Sequence, residues 1–153
     1  MFIITAEDPA SPDASKLMDE LSETLAKITG DSGKSSFDPN DVRFENARFV
    51  VARDACGQAI GCGAFRPLQE GVAEVKRMYS RSHASGVGSA ILSFLEQEAK
   101  SLGYLALQLE TRVVNERAVS FYERRGYKKI PNFGKYIGNQ SAVCFEKRLH
   151  ELQ

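Results

Sequence analysis

The sequence predicts an α/β fold built on a mixed sheet, and three observations carry that prediction. The middle of the chain reads as strands: "ARFVVARD" and "AIGCGAFRPL" flank Ala55-Cys56-Gly57-Gln58, a turn-like link that predicts a hairpin. The later chain runs strand, helix, strand, helix, strand, an order that calls for at least one parallel crossover. Two further segments space their apolar residues as helices do.

Taken in order, Phe2 to Thr5 reads as a short strand. Ser11 is a good N-cap and Pro12 suits the first helical position. Ala14, Leu17, Met18, Leu21, Leu25 and Ile28 follow at helical spacing, with Gly30 as the stop. "TGDSGKSSFDPND" is a polar loop rich in turn formers. After the hairpin and a turn at Gln69-Glu70-Gly71, "GVAEVKRMYS" makes another strand. Its alternation predicts Glu74, Lys76 and Met78 on one side, with Val75, Arg77 and Tyr79 on the other. Val87, Ala90, Ile91, Phe94, Leu95 and Leu102 mark one face of a helix that Gly103 ends. "YLALQLE" is a strand, Asn115 caps a helix through Arg125, and "SAVCFEKRL" is the last strand.

A length of 153 residues predicts one domain, residues 1–153, with room for a real core. Twenty basic and twenty acidic residues cancel, so no charge excess points to nucleic acid or a membrane surface. The N-terminus lacks the basic and apolar regions of a signal peptide, and no apolar run reaches membrane length. Three cysteines without paired spacing fit a reduced cytoplasmic protein, and two histidines with no Cys/His cluster predict no metal site.

The informative stretch is "SRSHASGVGSAIL". Here a strand ends, a polar loop follows, and Gly86 and Gly88 open a helix. The first N–H groups of a helix have no intrahelical partners and carry the positive end of its dipole. Glycines there let a ligand approach the main chain, and Ser82, His83, Ser85 and Ser89 supply further donors. The pattern suits a phosphate or pyrophosphate, and equally a tight turn with no ligand. It lacks the Gly-Lys-Ser/Thr of a P-loop, and Ile91 stands where a dinucleotide fold needs its third glycine.

Three linked stretches resemble the GNAT superfamily of N-acetyltransferases over roughly Ala47 to Leu149. "AEVKRMYS" is similar to its fourth strand, and "HASGVGSAIL" to its pyrophosphate loop. "NERAVSFYERRGYKKI" is similar to its helix with an Asn and a Phe-Tyr pair, leading into a Gly-Tyr strand. In the family's loop pattern Gln or Arg stands where this chain has His83, and the loop from Tyr79 to Gly86 is shorter than usual.

The resemblance implies a mainly antiparallel sheet of six or seven strands flanked by helices. The fourth and fifth strands should run parallel and part into a V-shaped cleft. It implies acetyl-CoA as co-substrate, bound by Met78, Tyr79, Ser80, His83, Ala84, Ser85, Gly86, Val87, Gly88, Ser89 and Asn115, and no metal. Tyr122 matches the tyrosine that protonates or hydrogen-bonds the leaving sulfur, and a phenol with a pKa of about 10 suits that task. Glu74 and Glu110 are the candidate bases. Plainer readings stand beside these: a packed Tyr122, a substrate-binding or surface Glu74, a Glu110 ion-paired to Arg77 or Arg112, and a solvated His83.

For the acceptor, the resemblance points to Ser11–Asn40 and to "PNFGKYIGNQ". Phe133 and Tyr136 offer an apolar slot; Arg66, Arg77 and Lys135 offer charge for a carboxylate, and Glu110 lies near the mouth. A small amino-acid-like or polyamine-like amine is the expected partner. The rivals are a protein N-terminus or lysine as acceptor, and a coenzyme A sensor without catalysis. A homodimer paired through an exposed final strand is compatible with the sequence.

Overall fold

The computed structural model describes residues 2–81 and 85–150. In chain order its elements are β1 (Ile3–Ala6), α1 (Pro12–Thr29), β2 (Arg48–Arg53), β3 (Ala59–Gln69), β4 (Val72–Ser80), α2 (Val87–Ser101), β5 (Ala106–Arg112), α3 (Glu116–Arg124), β6 (Lys128–Ile130) and β7 (Ala142–Arg148). Short 3-10 turns at Lys34–Ser36, Pro39–Val42 and Gly134–Tyr136 interrupt the loops. The strands form one sheet in the order β1-β2-β3-β4-β5-β7-β6, antiparallel except for the β4–β5 pair. The final strand is therefore not an edge. β7 lies between β5 and β6 because the β6–β7 link is a hairpin that returns inward, and the edges are β1 and β6.

Local chemistry sets the helix starts. The Ser11 hydroxyl accepts the Ala14 N–H at 3.2 Å, with Pro12 just inside α1. Asn115 Oδ1 accepts the Ala118 N–H at 3.3 Å and opens α3. α1 covers one face of the sheet, packing Ala14 and Leu17 against Phe49, Val51, Cys62 and Ala64. α2 covers the other, where Val87, Ile91, Leu92, Leu95 and Ala99 meet Val50, Phe65, Val75, Leu107, Leu109 and Phe145. Each large aliphatic buried in this way contributes roughly 1.5–3 kcal/mol. Leu102 is not part of that face: α2 ends at Ser101 and Leu102 turns outward at 38 % exposure. The close approach of α2 to β3 requires glycine, since a Cβ on Gly63 would come within 2.6 Å of Met78 Sδ and 2.8 Å of Ile91.

β4 departs from simple alternation. Ala64 faces Lys76 and Cys62 faces Tyr79, so β4 spends three residues where β3 spends two, and Arg77 takes a φ of +54°. This bulge turns the strand over. Glu74, Lys76, Arg77 and Tyr79 lie toward α1 and its following loop, while Val75 and Met78 pack with α2. The expected partition of Met78 with Glu74, and of Val75 with Arg77, is thus corrected by one inserted residue.

The parallel contact is short. Val72, Ala73 and Glu74 pair with Ala106, Leu107 and Gln108, and no rung follows. Beyond it β4 continues against β3 to Ser80, and β5 against β7 to Arg112. The two strands part into the expected V.

Candidate active site

One wall of the V ends at the mouth of α2. Gly86 sits at the N-cap with a φ of +80°, a left-handed conformation that favours glycine, and among the described residues no side chain caps the helix there. Ser85 and Gly86 are exposed, while Val87 is buried and anchors the first turn. Among the described residues, no side chain partners the leading N–H groups of this fifteen-residue helix. Gly88 marks where α2, α3 and β4 converge, since a Cβ there would lie 3.3 Å from the Phe121 ring and 3.8 Å from Ser80 Oγ. Ser89 is engaged: its hydroxyl accepts from Arg125 Nε at 3.2 Å, and that guanidinium stacks 3.9 Å from the Phe121 ring centroid. His83 and Ala84 lie outside the described residues.

Met78, Tyr79 and Ser80 form the free flank of β4: Tyr79 and Ser80 pair with Cys62 and Gly61 of β3 on one side, and none of the three pairs with β5 on the other. The Tyr79 hydroxyl donates to Glu20 of α1 at 3.1 Å, and Arg81 grips the same carboxylate at 2.9 and 3.0 Å, so the strand end is pinned. On α3, Tyr122 packs edge-to-face on Phe121 and Tyr127, with centroids at 5.1 and 5.6 Å. Burial alone pushes its phenol above the usual range, so it keeps its proton at neutral pH. Asn115 uses its side-chain oxygen as the α3 cap, leaving its amide NH₂ as a donor.

On the α1 side lies a cleft of about 260 Å³ between the 35–41 loop and the Gly134–Tyr136 turn. Glu74 lies in its floor at 1 % exposure. Its Oε1 accepts from Arg66 Nε and Nη2 at 3.1 and 2.8 Å, and Lys76 Nζ stands 3.4 Å from Oε2. Lys76 also donates to the Ser36 carbonyl at 2.7 Å and the Tyr136 hydroxyl at 3.2 Å. Burial pulls the pKa of Lys76 down, opposed by the neighbouring Glu74. Phe133 and Tyr136, 5.6 Å apart edge-to-face, form the far wall, and burial raises the Tyr136 phenol. Glu110 lies on β5 just beyond the last parallel rung and pairs with Arg112 at 3.0 Å. Burial raises its carboxyl above the ordinary range, with Arg112 pulling it back.

Arg77 points elsewhere. Its guanidinium donates to the Met18 and Ser32 carbonyls and to Ser22, and lies over the Phe37 ring, so it ties β4 to α1 outside the cleft lining. The structure thus brings Glu74, Phe133 and Tyr136 together in one cleft, sets Glu110 at the V beside it, and sends Arg77 to α1. Lys76 is the site residue that sequence reasoning missed. The signal was present: Glu74 and Lys76 share one face of an inner strand, where two opposite charges call for partners. Among the described residues no three His, Cys, Asp or Glu side chains cluster as metal ligands would, and no helix is long and apolar enough to cross a membrane.

The profile of the acetyltransferase (GNAT) family matches residues 14–127 of this chain. The chain belongs to that family. It is an acyltransferase of the N-acetyltransferase type. An IAA acetyltransferase of Azospirillum brasilense is 31% identical over 149 residues, covering 95% of this chain and 97% of that one. A Klebsiella pneumoniae crystal structure assigned by name to the acyl-CoA N-acyltransferases superposes with a TM-score of 0.83. It is 27% identical and covers 98% of this chain and 99% of its own. An N-acetyltransferase of Thermoplasma acidophilum, solved with coenzyme A, shares the fold at a TM-score of 0.72 and 19% identity, over 97% and 99% of the two chains.

Proposed function

We propose that the protein moves the acetyl group of acetyl-CoA onto a primary amine of a small amino-acid-like or polyamine-like molecule, by direct attack. The observation that carries this is the V itself, with the glycine-opened start of α2 at its outer end, Glu110 on β5 beyond the last parallel rung, and the Tyr122 helix meeting α2 at Gly88 through Phe121. The N–H groups at Gly86 to Ser89 suit the diphosphate of the cofactor. The free flank of Met78–Ser80 suits its amide-bearing arm, added like a strand, and the Asn115 amide supplies a further donor.

Acyl transfer then needs a neutral amine, a polarised carbonyl and a proton for the departing thiolate. The amine nitrogen bonds to the thioester carbon, and a backbone N–H near Met78 stabilises the oxygen as it gains charge. The carbon–sulfur bond breaks as the Tyr122 hydroxyl hydrogen-bonds the departing thiolate or hands it a proton, and the burial-raised phenol favours the hydrogen bond. Glu110 takes the proton lost by the nitrogen through a water, its raised pKa bringing it nearer to neutrality. Glu74 is the alternative base, and its carboxylate is already shared between Arg66 and Lys76. A cleft of only about 260 Å³ favours a small acceptor over a peptide. The three cysteines are unpaired, in keeping with a cytoplasmic setting.

Thermal unfolding with acetyl-CoA, free pantetheine and ATP tests the cofactor assignment. Ligand at a hundredfold excess over Kd should add about 2.7 kcal/mol of stability. A shift with acetyl-CoA and not ATP is expected, followed by thiol release with amines. No shift at millimolar acetyl-CoA overturns the reading.

A further inference from the structure

The charged residues of the acceptor cleft are not equivalent once their donors are counted. An ammonium has three N–H donors, and those of Lys76 face Ser36, Tyr136 and Glu74. Lys76 is saturated and acts as a tie between the two cleft walls. A guanidinium has five N–H donors, and Arg66 places two on Glu74 and one, at 3.3 Å, on the Pro67 carbonyl. Two donors remain, on a side chain that lines the cleft and is 30 % exposed. Arg66, Glu74 and Lys76 together carry one net positive charge at the cleft floor, where Glu74 and Lys76 are shielded from water. Lys135 stands on the opposite wall and makes no ion pair among the described residues. The opposing charges, Asp38 and Asp41, line the outer loop; Asp38 is exposed, caps its own turn at Asn40, and is screened by solvent.

We propose that the acceptor amine also bears a carboxylate, and that the free edge of Arg66 together with Lys135 receives it. This deepens, and rests on, the acetyltransferase reading above. A planar guanidinium edge matches a carboxylate in shape and charge, and a neighbouring ammonium adds attraction without fixing geometry. Such a contact would hold the acid end of a small zwitterion at the floor and leave its amine to turn toward the V beside Glu110. A polyamine gains nothing from this floor, which already carries excess positive charge.

The experiment compares glycine, β-alanine, aspartate and glutamate with their carboxamides and with spermidine, by thiol release. In parallel, thermal shifts of the coenzyme A-loaded protein are read with the same compounds. At least one acid should exceed its carboxamide tenfold in kcat/KM, and that ratio should fall at least fivefold in Lys135→Met, whose side chain is exposed and leaves Glu74 untouched. Arg66→Lys keeps a charge beside Glu74 and should weaken the same preference while acetyl-CoA affinity stays unchanged. Carboxamides or spermidine serving as well as the acids would overturn the proposal. The binding arm decides it independently of turnover: acids that raise the melting temperature where carboxamides do not support it, and equal or absent shifts overturn it. Absent thiol release with every amine, beside a normal acetyl-CoA shift, counts against the catalytic reading alone.

Discussion

Where β4 and β5 part, the two faces of the sheet come from the same strands and share almost no chemistry. Toward α2 the strands present Val75, Leu107, Leu109, Val143 and Phe145, all in one apolar cluster. Toward the cleft the residues between them are Glu74, Lys76, Gln108, Glu110 and Glu146, tied by ion pairs and by a 2.7 Å bond from Gln108 to Glu146. The apolar face holds the strands by burial that has no preferred direction, so its tolerance depends on volume. The polar face is held by partnered groups, and losing one strands its neighbours. The contrast teaches that the V is kept open by one face and given its chemistry by the other.

The strongest way to test that contrast is Glu74→Ala. It leaves Arg66 and Lys76 facing each other without the carboxylate, and should cost about 3–5 kcal/mol in urea unfolding. Replacing all three together, Arg66→Met, Glu74→Leu and Lys76→Met, should cost much less than the single change, because no charge is left alone. On the other face, Leu107→Ala should cost about 2–5 kcal/mol through the cavity it opens, while Leu107→Ile should stay below about 1.5 kcal/mol. Equal sensitivity of both faces to shape-conserving changes would erase the distinction.

Tyr122→Phe separates chemistry from packing at the border of the faces. The ring stays buried against Phe121 and Tyr127, so acetyl-CoA affinity should hold while kcat falls at least tenfold, about 1.4 kcal/mol. Unchanged turnover would remove Tyr122 from the mechanism.

The smallest effect concerns Glu110. Burial raises its pKa, and a base acts only when ionised. The acid limb of kcat/KM should therefore lie above the ordinary carboxylate range, and Glu110→Gln should abolish that limb. Stability runs the other way: the native state holds this proton more tightly than the unfolded chain, so folding is favoured below the raised pKa. That advantage is lost as pH climbs from the ordinary carboxylate range through the raised value, and urea midpoints across a pH series should show the decline lessened in Glu110→Gln.

Much of this was legible in the residues. Ser11-Pro12 and Asn115 announced their helices because capping is a local event, decided within one turn. The strand before the glycines, the glycine pair before α2 and the Phe-Tyr-bearing helix carried the family resemblance, and it was the resemblance that implied the V. Three things were hidden. The bulge at Arg77 depends on pairing with β3, a partner more than ten residues away, and no single-strand pattern encodes it. The inner position of β7 is set by which strand it pairs with, which alternation does not specify. The partners of Lys76 come from the 31–42 loop and the β6–β7 link, both polar and without periodicity. Turn formers show where such segments bend and not what they touch.

The bulge also has an evolutionary consequence. By spending one residue after Lys76, β4 leaves Glu74 and Lys76 facing the cleft, turns Met78 to the α2 side, and gives Met78 to Ser80 a separate backbone track along the V. Side chains upstream of Arg77 are free to be exchanged for those that greet a different amine, while the downstream track, which works through main-chain atoms, is indifferent to the exchange. A lineage with this strand can therefore change what it acetylates without relearning how to hold the acetyl donor.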